Sequence, residues 1–144
     1  MILTFSELKF ELRIINGIKG TTFREDKHDR WKVGITANLW MHNPRNVKLN
    51  PHHIKDDVIW DIDYVLLIPV KDTIRFYNKD YTKRNKTYSV SRSKRHIDRT
   101  ARVDGFNNWE DMKQWFIKRG YTDPKGYRMK RLFFKSWYYD DLPF

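Results

Sequence analysis

V-I-W-D-I-D-Y-V-L-L-I-P-V, residues 58–70, is the stretch that decides the fold class. It is rich in β-branched and aromatic side chains, which suit a pleated, half-buried strand. Pro69 stands near its end, where a missing N–H is tolerated. Lys71-Asp72 then reads as a hairpin corner before a strand at 73–77. Further toward the C-terminus come a basic loop and a short strand at 87–90. A basic helix capped by Ser93 then runs to Val103 and is broken by Asp104-Gly105. Asn107 or Asn108 caps a second helix with Trp109, Met112, Trp115 and Phe116 on one stripe, closed by Gly120. Residues 131–137 read as a last strand, followed by an acidic tail, 138–144, with Asp140 and Asp141.

Toward the N-terminus, residues 43–57 read as a long loop. Before it lies a strand, 35–40, with Ile35, Ala37 and Leu39 on one face. Trp31-Lys32-Val33-Gly34 makes a turn into that strand, and residues 21–24 are extended. Residues 2–5 form a short apolar strand, and Ser6 caps a helix with Leu8, Leu12 and Ile15 at helical spacing, ended by Gly17. Roughly six strands and two or three short helices predict an α+β fold, a small mixed sheet curled into a β-barrel with helices at its ends.

The chain of 144 residues suits one domain over 1–144, and no repeat or low-complexity linker divides it. Aromatics at 16% exclude a disordered chain, which could not bury them. With Cys 0, disulfide scaffolds, thiolate zinc sites and cysteine nucleophiles drop out. No apolar run approaches the ~20 residues of a membrane span, and the first residues lack a basic leader and a cleavage site. The expectation is a soluble, cytoplasmic protein.

The formal net charge of +11 concerns partners rather than fold. It is uneven: segment 71–102 holds eleven Lys and Arg against Asp72, Asp80 and Asp98. Tyr77, Tyr81 and Tyr88 lie among these bases, a mixture that suits base stacking with phosphate contact. Lys83, Arg84, Lys86, Arg92, Lys94 and Arg95 are therefore candidate nucleic-acid contacts, as are Arg24, Arg30, Trp31 and Lys32. A solvated, solubilising face is the alternative reading, and charge alone does not separate RNA from DNA.

Chemistry concentrates in I-N-G-I-K-G-T-T-F-R-E-D-K-H-D-R-W-K-V-G, residues 15–34. Lys19, Thr22 and Arg24 follow a helix-ending glycine, with Thr22 and Arg24 on one side of an extended segment. A lysine beside a hydroxyl serves as its base only if its pKa is pulled down by burial or a neighbouring cation. From spacing alone a phosphate-binding or purely structural role is favoured over a catalytic one.

The order G-x-K-x-x-T-x-R followed by W-K-x-G resembles the signature of the ASCH domain, a branch of the PUA-like β-barrel superfamily. Here it comprises Gly17, Lys19, Thr22, Arg24, Trp31, Lys32 and Gly34. Ala101-Arg102-Val103-Asp104-Gly105-Phe106 and the helix with Trp115-Phe116 are similar to a second element of bacterial and phage members. The resemblance covers residues 1–42 and 94–138. It implies a small barrel with helices beside a cleft that takes RNA or a modified nucleotide. One subgroup resembles an amidohydrolase of acetylated cytidine. Carried over, it makes Lys19 the base, Thr22 the nucleophile and Asp104 the acid, with Arg24 binding an anionic or carbonyl group. That subgroup has Glu at the position of Asp104, one methylene longer. Other members resemble ribonucleases.

Structural readings stand beside these. Asp104-Gly105 is also a common turn pair, and the tryptophans are more often core than stacking platforms, with Trp31 or Trp40 the choice for an exposed one. His52-His53 point to opposite faces of an extended chain, and Asp61 and Asp63 fit solvated strand positions, so no metal or cofactor is expected. Three functions follow: RNA or modified-nucleotide binding, with DNA not excluded; a hydrolase of the same ligand class; and a basic phage protein that docks on an acidic partner. None involves a membrane.

Overall fold

The computed structural model describes residues 1–135, so Trp137 and the tail 138–144 lie outside the described residues. The elements are β1 (Ile2–Phe5), α1 (Leu8–Ile15), β2 (Thr21–Arg24), β3 (Thr36–Met41), β4 (His52–Val58), β5 (Asp61–Ile68), β6 (Thr73–Tyr77), β7 (Arg84–Ser89), α2 (Val90–Val103), α3 (Trp109–Lys118) and β8 (Tyr127–Phe133). The fold is α+β, with eight strands in two sheets among the described residues rather than about six in one. A three-stranded sheet runs β1-β3-β4, with β1 parallel to β3, and a five-stranded antiparallel sheet runs β2-β8-β5-β6-β7.

The apolar stretch at 58–70 is not one strand. Ile59 exchanges backbone hydrogen bonds with Gly34 and Ile35 beside β3, whereas the Trp60 N–H donates to Phe133 O at 3.0 Å on β8. The chain therefore changes sheets between those two residues, and Ile59, fully buried, is the pivot. Pro69 opens a single 3-10 turn to Lys71, and Asp72 at φ 50° completes the corner into β6.

Two further readings are corrected. Residues 43–57 are not all loop, because β4 pairs antiparallel with β3 at the sheet edge. Its His-His-Ile-Lys-Asp-Asp sequence buries little, so no apolar alternation marks it. In α1 the cap is Glu7 rather than Ser6, and the buried face is Phe10 and Ile14. Leu8, Leu12 and Ile15 point outward. The Phe10 ring packs edge-on against Phe5, Phe106 and Trp115, a larger apolar contact than the leucine row offers.

One hydrophobic cluster draws on both sheets and the three helices. It includes Leu3, Leu39, Val65, Ile74, Ile97, Met112 and Leu132. α2 starts at Val90 with Ser89 in the cap position rather than Ser93, which instead kinks the helix from within, and Asn108 caps α3 by accepting from the Asp111 N–H. No helix among the described residues is long and apolar enough to cross a membrane.

Candidate functional site

The loop after α1 carries the site. The Lys19 N–H donates to Arg13 O at 2.9 Å, and the Gly20 N–H donates to Val103 O at 2.9 Å. These bonds set the start of β2 against the end of α2, 85 residues further along the chain from Lys19 to Asp104. Lys19 Nζ donates to Thr21 O at 2.7 Å and to Asp104 O at 2.5 Å, and lies 3.8 Å from Asp104 Oδ1. The Thr21 hydroxyl donates to the same carboxylate oxygen at 2.9 Å. Arg13 bridges this corner to the next loop, with one guanidinium nitrogen on Gly105 O and the other 2.7 Å from Asn107 Oδ1.

Thr22 and Arg24 form a second pair. Arg24 Nε donates to the Thr22 hydroxyl at 3.0 Å and its Nη2 to Thr4 O at 2.8 Å, with the guanidinium 5.1 Å from the Phe5 ring centre. Burial dominates the electrostatics. It pulls the Lys19 ammonium from 10.5 down to about 8; Asp104 opposes this, and Arg24 and Arg13 add to it. Burial also pushes the Asp104 carboxyl up, against Lys19, the Thr21 hydrogen bond and two arginines, and it pulls Arg24 down.

Lys19, Thr22, Arg24 and Asp104 all line one open cleft of about 500 Å³. The same lining includes the rings of Phe10, Phe106, Trp115 and Tyr121, with Lys19 Nζ 4.9 Å from the Phe10 ring centre. Trp115 is fixed by its indole N–H on Glu7 Oε2 at 2.6 Å, and the Arg119 guanidinium lies 3.6 Å over its ring. A planar cation stacked on an indole faces the cleft, as base-stacking platforms do. Sequence reasoning placed Trp115 on an apolar stripe and in the second similar element, without assigning it to the site, and passed over Arg119 and Tyr121. The signal available was the i,i+4 spacing of Trp115 and Arg119 on α3.

The remaining candidates fall elsewhere. Trp31 is buried in the core and cannot act as a stacking platform; of the described tryptophans, Trp60 is the exposed one. Arg30 and Lys32 are exposed, and Lys32 pairs with Asp29. Lys83, Arg84 and Lys86 lie at or near β7, and Arg92, Lys94 and Arg95 on α2, away from the cleft lining. Tyr81 turns inward, its hydroxyl donating to Met129 O at 2.8 Å, and Tyr88 stacks on His96.

Among the described residues no group of three or more His, Asp or Glu converges as metal ligands would. His52 instead meets Glu11 at 2.6 Å, His53 meets Asp56 at 2.6 Å, and Asp63 pairs with Arg131 at 3.5 Å. No family model matches the chain, nor does any curated protein or solved structure.

Proposed function

We propose that this cleft binds RNA or a modified nucleotide, in a protein of ASCH type whose two sheets close around the core as a PUA-like barrel. The observation that carries the proposal is the meeting of Lys19, Thr22, Arg24 and Asp104, from distant parts of the chain, in one cleft lined also by aromatic rings. A cleft of about 500 Å³ is of ligand size, and buried cations facing aromatic rings suit a base joined to an anionic or carbonyl group. Both G-x-K-x-x-T-x-R and the Asp104-Gly105-Phe106 element contribute to it, which supports the resemblance.

Binding is favoured over hydrolysis by the hydrogen bonds. Lys19 Nζ is spent on two backbone carbonyls, and the Thr22 hydroxyl accepts from Arg24 rather than facing a base. A hydrolase with Lys19 as base, Thr22 as nucleophile and Asp104 as acid is the second reading. It is supported by the Lys19 pKa of about 8 and the upward shift at Asp104.

Titration of cytidine monophosphate against intrinsic tryptophan fluorescence tests the first reading. Saturable quenching that weakens at least tenfold in Arg24→Gln, with folding checked by circular dichroism, is the expected result. An unchanged affinity in that variant rejects it. For the second reading, turnover of acetylated cytidine that survives Thr22→Ala removes the nucleophile assignment.

A further inference from the structure

A second cavity, of about 600 Å³, opens where β6, β7 and the first turn of α2 meet. The register builds its floor. Thr73 stands opposite Ser89 and Arg75 opposite Thr87, so these four side chains share one face of the sheet edge. Lys71 and Asp72 enter from the 3-10 corner, Arg84 from the start of β7, and Ser91 and Arg92 from α2. The lining is almost wholly cationic and hydroxylic.

Two features point to a ligand. First, Arg75 Nε and Thr87 Oγ1 are buried and have no hydrogen-bond partner among the described residues. A buried donor left in that state costs about 1–3 kcal/mol, and both residues belong to the cavity lining. Second, the charge is not neutralised. Asp72 is the cavity's one carboxylate, and its Oδ1 is already held by Lys113 at 3.0 Å and the Trp109 indole N–H at 2.9 Å. That leaves Lys71, Arg75, Arg84 and Arg92 facing a polar hollow.

We propose that this cavity is an oxyanion site for a phosphate group, with Arg75 and Arg92 as its principal cations. A tetrahedral phosphate oxyanion accepts from several directions at once, which suits donors converging from two strands and a helix better than a single carboxylate would. The group can belong to a single-stranded nucleic-acid backbone or to free phosphate. The site does not depend on what the first cleft binds.

Thermal unfolding in inorganic phosphate against chloride at equal ionic strength reads the site directly. A Tm that rises with phosphate concentration is expected, and the rise should disappear in Arg75→Gln/Arg92→Gln. Arg92→Gln alone, at an exposed helix position, should reduce it without disturbing the fold. Binding of a single-stranded oligoribonucleotide against salt then identifies the source. A slope of log K on log salt shallower by about 0.7 in the double variant, the share of one phosphate, means backbone phosphates; an unchanged slope means free phosphate. Wild-type protein indifferent to phosphate, or a response that survives both substitutions, overturns the proposal. Arg24→Gln reports separately on the first cleft, so the two readings fail independently.

Discussion

Gly105→Ala offers the sharpest test of how the cleft is built. Gly105 sits at φ +96°, where a side chain is strained, and a Cβ there would lie 2.8 Å from Lys19 Cδ and 3.2 Å from Lys19 Cβ and Cγ. Lys19 has nowhere to go. It is 2% exposed, and its Nζ is tied to Thr21 O and Asp104 O. Gly120 supplies the control, at φ +91° with nothing within 4 Å of its Cβ position. Gly120→Ala should therefore cost the backbone strain alone, about 1–2 kcal/mol. Gly105→Ala should add an overpacking cost of about 1–3 kcal/mol on top of it. Urea unfolding measures both, with unchanged m-values confirming that the midpoint reports stability. If the two variants are equally destabilised, Lys19 is not wedged beneath Gly105 and the geometry of the cleft floor is wrong.

Further outcomes concern the charges and the wall. Lys19 has a folded pKa of about 8 against about 10.4 unfolded. Between those values the unfolded chain binds the extra proton, so stability should rise with pH across that window by roughly 3 kcal/mol. Urea midpoints at both ends should show the rise, and Lys19→Met should abolish it; an identical rise in the variant refutes the assignment. Asp104→Asn keeps an acceptor for Thr21 but strands the Lys19 charge, and should destabilise by about 3–5 kcal/mol in the same assay. Combined with Lys19→Met, the loss should fall well short of the sum of the two single losses. Trp115→Leu removes the platform under Arg119 and should weaken nucleotide binding by about 1–3 kcal/mol, measured by calorimetry.

The fold was legible where burial leaves a periodic mark. Ala37, Leu39 and Met41 are buried on alternate positions of β3, and this is the pattern the sequence displays. β4 carries no such mark. It is held to β3 by backbone pairing while most of its charged side chains stay in solvent, so composition reads as loop. The face of α1 was ambiguous for a different reason: two apolar rows share eight residues, and only the partner surface selects between Leu8-Leu12-Ile15 and Phe10-Ile14. The sheet change at Ile59 was hidden because a buried pivot and a buried strand look alike in one apolar run.

At the site, one elementary rule was applied to half its consequence. An extended segment puts Thr22 and Arg24 on one side, and the structure pairs them as expected. The same alternation sends Thr21 to the opposite side, and there it meets Asp104 and the backbone anchor of Lys19. The register agrees, with Thr21 opposite Phe133 and Thr22 opposite Leu132 on β8. β2 thus divides the work between its faces. One holds a buried lysine–carboxylate pair that ties α2 to the sheet, and the other presents an arginine on a hydroxyl. Lys19 and Thr22 both reach the cleft, but Lys19 Nζ is held by Thr21 O and Asp104 O while the Thr22 hydroxyl is held by Arg24. These partners, independent of any pKa, weigh toward recognition rather than nucleophilic attack by Thr22.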